Sequence, residues 1–336
     1  MRKGWLLVAL LALAVGAAAG IALRSDETVL GSSEPGAERA ASHDAASAPV
    51  AARHVAATGA REHRARTRRP PRRSPFTLRP ARDRLPAHVE FAPDREPRAG
   101  ILFDVDTGAV LWECHPGRRL PIASLTKMLT ALIVVERHRP GERVAITPEA
   151  LAYQGSGVGV LPKGGQVRLE TMLNGLLLVS GNDAAIALAQ HDAGSVGEFV
   201  ARMNRWRRRL GLRCSHFTSP HGLQDAGNYS CARDLAALAR ADLASRRVRR
   251  IVGADHARFR FPIEGGFLDL YNNNPFIRAG ARGITGVKTG YTDAAGRCYV
   301  TTARRGGRDL GVVLLHSPNP LDQVPALLRA ATHQPR

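Results

Sequence analysis

Acidic residues are scarce in this chain of 336 residues: 29 Asp and Glu stand against 48 Lys and Arg, a formal charge of +19. An excess of that size would suit nucleic acid if it lay on a folded face. It lies in a tract instead, with eleven arginines between Arg53 and Arg84 against only Glu62 and Asp83, so nine net positive charges sit there. We therefore expect no nucleic-acid partner. The tract reads as a solvated, self-repelling linker, or as a contact for an anionic wall polymer or membrane surface. Cysteine is sparse too: the four residues lie far apart with no C-x-x-C, which argues against structural zinc. H-E-x-x-H is absent, so His216 and His221 read as structural or surface loop residues. Asp106-Thr107-Gly108 has no second copy, which removes an aspartic peptidase and leaves a turn. Gly155 to Gly159 neither follows a clear strand nor enters a helix, and reads as a flexible loop near the cleft. Gly283 to Thr289 has Val287 where a phosphate loop needs glycine and is one residue short, so nucleotide binding is excluded. No metal, no cofactor and no internal repeat are expected.

The chain opens with Met1, Arg2 and Lys3 before an uncharged apolar run from Gly4 to Leu23, with Ala17-Ala18-Ala19 as a small-residue cleavage site. Residues 1–23 are thus a signal peptide, or an uncleaved N-terminal anchor of about 20 apolar residues. Either way the protein is expected outside the cytoplasm, where disulfides are permitted. Four cysteines allow three complete connectivities. Cys214 and Cys231 flank a loop containing Ser219-Pro220-His221-Gly222 and make the best pair, with four free thiols the other reading. Residues 24–95 form an Arg/Ala/Pro-rich linker that buries too little apolar surface to order itself. The folded domain spans 96–336, and any tether is expected at the N terminus because the chain stops at Gln334-Pro335-Arg336 soon after its last helix.

Within that domain, Gly100 to Asp104 and Val110 to Cys114 read as a hairpin around Asp106-Thr107-Gly108. A helix opens at Ser124, with Leu125, Met128, Leu129, Leu132 and Val135 at helical spacing, and stops at Pro140-Gly141. Leu169 to Val179 predicts a second helix, broken at Ser180-Gly181-Asn182, after which Asp183 caps a third through Ile186 and Leu188. Val196 to Leu210 and Cys231 to Leu243 predict two more, the latter capped by Ser230. Strands return at Gly283 to Thr289, Cys298 to Arg304 and Leu310 to His316, and Leu321 to Leu328 closes the chain as a helix. Strands at both ends with helices between them predict an α+β fold: one antiparallel sheet flanked by helices, with a helical lobe beside it.

Ser124 and Lys127, three apart at a helix start, share a face. A serine hydroxyl needs a neighbouring base, and a lysine serves as one when desolvation or a nearby cation lowers its pKa. Ser180-Gly181-Asn182 follows at a helix break and Lys288-Thr289-Gly290 at a strand, giving S-x-x-K, S-x-N and K-T-G in that order. This set resembles that of penicillin-binding proteins and serine β-lactamases. The resemblance covers roughly Gly100 to Pro318. Pro121-Ile122-Ala123-Ser124-Leu125-Thr126-Lys127-Met128, Leu161-Pro162-Lys163-Gly164, Val179-Ser180-Gly181-Asn182-Asp183-Ala184 and Gly286-Val287-Lys288-Thr289-Gly290-Tyr291-Thr292 are similar to stretches of D-alanyl-D-alanine carboxypeptidases, the low-molecular-mass penicillin-binding proteins.

That resemblance implies Ser124 as acylated nucleophile, Lys127 as general base and Ser180 as a proton shuttle to the leaving D-Ala nitrogen. It implies Asn182 on the substrate's backbone amide, Lys288 and Thr289 on its carboxylate, and the N–H groups of Ser124 and Tyr291, beside Gly290, as oxyanion hole. Two lysines converging on one small site cannot both be charged at ease, so Lys288 is expected to help keep Lys127 neutral and to hold its own charge by meeting a carboxylate. The implied substrate is a peptidoglycan stem peptide ending in D-Ala-D-Ala, with β-lactams as inhibitors. Endopeptidase action by the same mechanism and a non-catalytic wall-binding module are the alternatives. The resemblance departs from its pattern in lacking a second β-rich domain and an amphipathic C-terminal anchor. No counterpart of the deacylating glutamate of class A β-lactamases is found, the stretch after Asn182 being poor in acids until Glu198.

Overall fold

The structure, a computed structural model, describes residues 74–80, 89–223 and 226–332. The readings made on 1–23, on most of the Arg-rich tract and on the last three residues lie outside them. In chain order, β1 (Arg79–Pro80), β2 (Ala99–Asp104), β3 (Ala109–Cys114) and β4 (Leu120–Pro121) lead into a 3-10 turn at Ala123–Leu125 and helix α1 (Thr126–Arg137). Then come β5 (Arg143–Ala145), α2 (Pro148–Leu151), β6 (Gln166–Arg168), α3 (Leu169–Leu177), α4 (Asn182–Ala193), α5 (Val196–Leu210), β7 (Tyr229–Ser230), α6 (Ala232–Ala244) and α7 (Arg246–Val252). The hairpin β8 (His256–Arg260) and β9 (Phe267–Tyr271) precedes α8 (Pro275–Arg278), β10 (Ile284–Thr292), β11 (Gly296–Arg305), β12 (Arg308–Ser317) and α9 (Pro320–Thr332).

One six-stranded sheet runs β1-β3-β2-β12-β11-β10, so strands from both ends of the domain meet at the β2–β12 pair. All neighbours are antiparallel except the short β1–β3 contact. β2 is buried at every position because the sheet is covered on both sides. Alternation then divides it: Ile101 and Phe103 join the core shared with the helical lobe, while Leu102 joins Leu310, Val312 and Leu314 under Val324, Leu327 and Leu328 of α9. On the first face α6 packs against β2 and β12 and also touches α1, which packs in turn on α3, α4 and α5. These layers are the expected α+β arrangement, with α1 in the middle of the lobe.

Several details differ from the sequence reading, each for a local reason. The folded unit reaches back into the predicted linker. Phe76 and Leu78 pack on the main core, and Phe91 meets the Trp112 ring edge-on at 6.0 Å. Arg240 donates to the carbonyls of Pro75 and Thr77 at 3.3 Å. Single apolar residues without a period dock on a surface built elsewhere, and composition cannot register that. Asp183 does not cap α4; Gly181 holds that position. Its carboxylate instead accepts from Val158 N and Gly159 N, each at 3.0 Å, so the predicted flexible loop is tied to α4. Ser230 is not the cap of α6 either, since its hydroxyl pairs with Ser215 Oγ at 2.8 Å and Cys231 stands at the cap. β5, β6 and α7 are too short to show a period, and β8 and β9 alternate around exposed charges such as the Arg258–Asp269 pair.

Cys214 and Cys231 are joined, while Cys114 and Cys298 are free and buried. The bridge closes the segment that carries His221 and Gly222. A loop of that separation, 17 residues, loses about 3 kcal/mol of unfolded-state freedom when cross-linked. Replacing both cysteines by serine should therefore lower the denaturant-unfolding free energy by about 3 kcal/mol. A change near zero would mean that the Ser215, Ser230 and Asp234 hydrogen bonds hold the segment alone.

Candidate active site

α1 is buried at nine consecutive positions, Thr126 to Val134, which is why a lysine in its first turn has no route to water. Ser124 sits just before the helix, on the 3-10 turn and not within α1 as the periodicity predicts. The chain reaches it through Ala123, whose φ of +48° is a conformation that non-glycine residues seldom adopt. Two glycines allow that turn to be enclosed. A Cβ on Gly222 would lie 2.1 Å from Ala123 O, and one on Gly290 would lie 2.9 Å from Ser124 N. Strand β10 therefore passes directly against the amide of the candidate nucleophile.

Lys127 is fully buried and its Nζ donates to Ser124 Oγ at 2.9 Å, Asn182 Oδ1 at 2.6 Å and His221 O at 3.0 Å. All three acceptors are uncharged. Asn182 is oriented in turn by donating from Nδ2 to Gln154 O at 2.5 Å and from its backbone to Ser156 O at 2.7 Å. Ser180, two residues earlier, has φ +63° and is buried. Its Oγ accepts from Lys288 Nζ at 2.9 Å, and the same amine donates to Thr289 O at 2.7 Å. Burial pushes the Lys288 amine down to about 7. Desolvation is the cause, and it weakens the hold of this amine on its proton.

The three motifs of the sequence are therefore in one place. Ser124 and Lys127 form one pair, Ser180 and Lys288 the other, and the turn 180–182 touches both. Thr289 is half-buried and contributes its carbonyl. Tyr291 lies at the rim with its side chain 64% exposed, the phenol donating to Asp293 Oδ1 at 3.2 Å. Beside Ala123 a cavity of about 680 Å³ opens between Gly222, Asn228 and Tyr229 on one side and Thr292, Asp293 and Ala294 on the other, with Arg119 on its wall.

The His221 carbonyl, a direct partner of Lys127, has no motif in the sequence. Its imidazole is pushed down to about 4, by burial first and by the Lys127 charge second, so it is neutral at pH 7 and Nδ1 accepts from Leu223 N at 3.1 Å. A signal for this loop does exist on α1. Thr126 and Thr130, polar and fully buried at helical spacing, bond Asn228 Nδ2 at 2.8 Å and Pro220 O at 2.7 Å. Hydroxyls on a buried face need partners, and these find them in the 218–228 loop.

Residues 87–319 match the family model for D-alanyl-D-alanine carboxypeptidase. The chain belongs to this family. Among relatives, the D-alanyl-D-alanine carboxypeptidase DacF of Bacillus subtilis is 33% identical over 68% of this chain, and DacA of Escherichia coli K12 is 34% identical over 65%. Those matches cover 59% and 55% of the two relatives, so the chain spans little more than half their length. A crystal structure of a D-alanyl-D-alanine carboxypeptidase from Mycobacterium tuberculosis H37Rv superposes with a TM-score of 0.68 at 31% identity, covering 74% of this chain and 96% of that one. A mutant of the Streptomyces K15 DD-transpeptidase gives 0.63 at 29% identity, covering 72% and 96%. The matched domain thus has nearly the same extent as those two solved chains.

The packing of Gly290 on Ser124 N makes a specific demand. Gly290→Ala should slow acylation of Ser124 by a labelled penicillin at least about 100-fold, the scale of losing an oxyanion donor. Unfolding stability should fall by about 1–3 kcal/mol, as overpacking does. Unchanged acylation kinetics would show that the strand moves aside freely.

Proposed function

We propose that this carboxypeptidase-family protein is a serine-type D-Ala-D-Ala carboxypeptidase acting on peptidoglycan stem peptides outside the cytoplasm, and that β-lactams acylate it. The observation that carries the reading is the double pairing: Lys127 Nζ is 2.9 Å from Ser124 Oγ while Lys288 Nζ is 2.9 Å from Ser180 Oγ. One serine has a base at hand, and the other stands beside the amine of the proposed carboxylate-binding strand.

The chemistry follows in two halves. Ser124 Oγ attacks the carbonyl carbon of the penultimate D-Ala while its proton passes to Lys127 Nζ. The oxyanion forms against the amides of Ser124 and Tyr291, where one donor contributes about 3–4 kcal/mol. The C–N bond then breaks, and the proton taken up by Lys127 passes through Ser180 to the departing D-Ala amine, which leaves Lys127 neutral again. Water next attacks the acyl carbon, giving its proton to Lys127, and Ser124 departs as alkoxide to recover it. Asn182 holds Lys127 from behind and offers an N–H to the substrate backbone. Lys288 and Thr289 receive the terminal carboxylate, whose charge restores the ammonium that burial alone disfavours. The cavity beside Ala123 offers room for the acyl side of the peptide. Membrane tethering or wall contact belongs to the N-terminal segments; among the described residues no helix is long and apolar enough to cross a membrane.

The direct test joins an adduct to a product. Labelled penicillin should form one acyl adduct on Ser124, and a defined pentapeptide ending in D-Ala-D-Ala should release D-Ala. Ser124→Ala should abolish both. Acylation without D-Ala release would favour a binding module, and cleavage of crosslinked dimers in preference to pentapeptides would favour an endopeptidase.

Lys288 adds a pH dependence with a definite sign. Its cation is present below about pH 7 and lost above it. kcat/KM for a peptide with a free carboxylate should therefore fall as pH rises through about 7, whereas kcat should hold to higher pH because the bound carboxylate keeps the ammonium. Lys288→Arg should move the limb in kcat/KM upward by more than one pH unit. A limb that stays in place would assign it to another group.

A further inference from the structure

A second constellation lies where α1 and α4 end. His138 terminates α1, His191 and Asp192 occupy the last turn of α4, and Glu142 follows on the segment between α1 and β5. His138 Nδ1 is 2.8 Å from Glu142 Oε2, and His191 Nε2 is 2.9 Å from the same oxygen. His138 Nε2 is 2.9 Å from Asp192 Oδ1. Ligand atoms of His138, Glu142 and His191 all lie within 4.8 Å of one another, on residues that are only half-buried and so reachable from solvent.

Hydrogen counting makes this arrangement informative. A neutral imidazole carries one N–H. The Asp192 carboxylate is fully buried and pairs with Arg137 at 2.6 Å and Arg202 at 3.0 Å, so it acts as an acceptor and claims the N–H of His138 Nε2. That leaves the Nδ1 lone pair facing a carboxylate oxygen at 2.8 Å. Two acceptors at that separation need a positive charge between them, either a second ring proton or a metal cation. Glu142 turns Oε2 to the two imidazoles while its other oxygen, Oε1, accepts from Arg139 N at 2.5 Å. Both helix C-termini add about half a negative charge each, while the nearby Arg137 and Arg202 are committed to Asp192.

We propose that His138 Nδ1, Glu142 Oε2 and His191 Nε2 bind a divalent transition metal, zinc by the chemistry of the ligand set, which clips the end of α1 to the end of α4. Two imidazoles and one carboxylate with a fourth position for water are a common zinc environment. Asp192 is the outer carboxylate that typically stands behind a ligating imidazole and fixes its tautomer. Bonds of about 2.0–2.1 Å in tetrahedral geometry set ligand atoms about 3.3 Å apart, so the two contacts to Glu142 need to open by about half an ångström while the two ring nitrogens, within 4.8 Å of each other, adjust towards that spacing. The clip has a structural consequence. α1 and α4 have 12 residues each, about 18 Å, and their first turns carry Lys127 and Asn182, joined at 2.6 Å. Tying both ends fixes the register of the two helices that hold the base.

The test uses the full chain, stripped with a chelator and titrated with Zn²⁺ against a chromophoric competitor. One equivalent should bind with a Kd of about 1 μM or tighter and raise the unfolding temperature. His191→Ala and Glu142→Gln should remove that equivalent and the thermal shift, and Asp192→Asn should weaken binding about 10–100-fold. Should those variants fail to fold, Co²⁺ added to the wild-type chain decides, since the proposed site gives tetrahedral d–d absorption. No bound equivalent in the wild type, zinc binding unchanged in His191→Ala, or a purely octahedral Co²⁺ spectrum would each overturn the proposal.

Discussion

Lys127 is cut off from water, and an amine so placed must find its partners within the protein or lose about 1–3 kcal/mol for each unmade hydrogen bond. It finds three, and each comes from a different part of the chain: Ser124 from the turn before α1, Asn182 from the start of α4, and His221 from the disulfide-closed segment. The site exists only when those pieces have converged. Local geometry is adapted to this meeting. Ala123 and Ser180 both take positive φ, the kind of backbone outlier that costs about 1–3 kcal/mol and persists where the surroundings over-determine it. Around Ala123 the surroundings are Gly222 and Gly290, whose missing side chains let two other segments close on Ala123 and Ser124, while Ser180 is held by Lys288.

The sheet plays a complementary part. β10 brings Lys288 in from the opposite side, held by pairing with β11 at Val300 and so by the whole sheet down to the β2–β12 junction. One amine is thus fixed by a helix and the other by a strand, and the turn 180–182 separates them with one residue facing each. Both amines are buried, yet their surroundings differ in what they await. Lys127 already has a hydroxyl, an amide oxygen and a carbonyl. Lys288 has a hydroxyl and its neighbour's carbonyl, with its charge depressed until an anion arrives. On the proposed reading, an incoming carboxylate would therefore change Lys288 more than Lys127.

The site was legible wherever chemistry demands a fixed residue at a fixed spacing: Ser124 and Lys127 one turn apart, Ser180 and Asn182 at a helix break, Lys288 to Gly290 on a strand. The larger elements were legible as periodicity, including the β2–β3 hairpin, α5 and the β11–β12 pair. What escaped was set by contacts that no local window contains. Asp183 looks like a cap in sequence but serves the amides of Val158 and Gly159. His221 contributes only a carbonyl, which every residue possesses. Phe76 and Phe91 sit in segments too polar to fold alone and become ordered on a surface made by residues up to the C-terminal helix. The His138, Glu142 and His191 cluster joins residues up to 53 positions apart, a relation that a search for H-E-x-x-H cannot reveal.

Deacylation is where the distribution of acids matters most. Class A β-lactamases use a free carboxylate to activate water beside the acyl bond. The two aspartates of α4 are otherwise employed: Asp183 by the amides of Val158, Gly159 and Ala184, and Asp192 by Arg137, Arg202 and His138 at the far end. Glu198 stands in the first turn of α5, a different helix, behind its Ser195 cap. On the proposed mechanism water at the acyl-enzyme falls to Lys127, whose contact with Ser124 Oγ would be given up on acylation. With a peptide, departure of D-Ala opens the space that this water needs. With a β-lactam the leaving nitrogen would stay tethered to the acyl group and keep that space filled, so the proposed arrangement would turn over a stem peptide and yet leave a penicillin adduct in place.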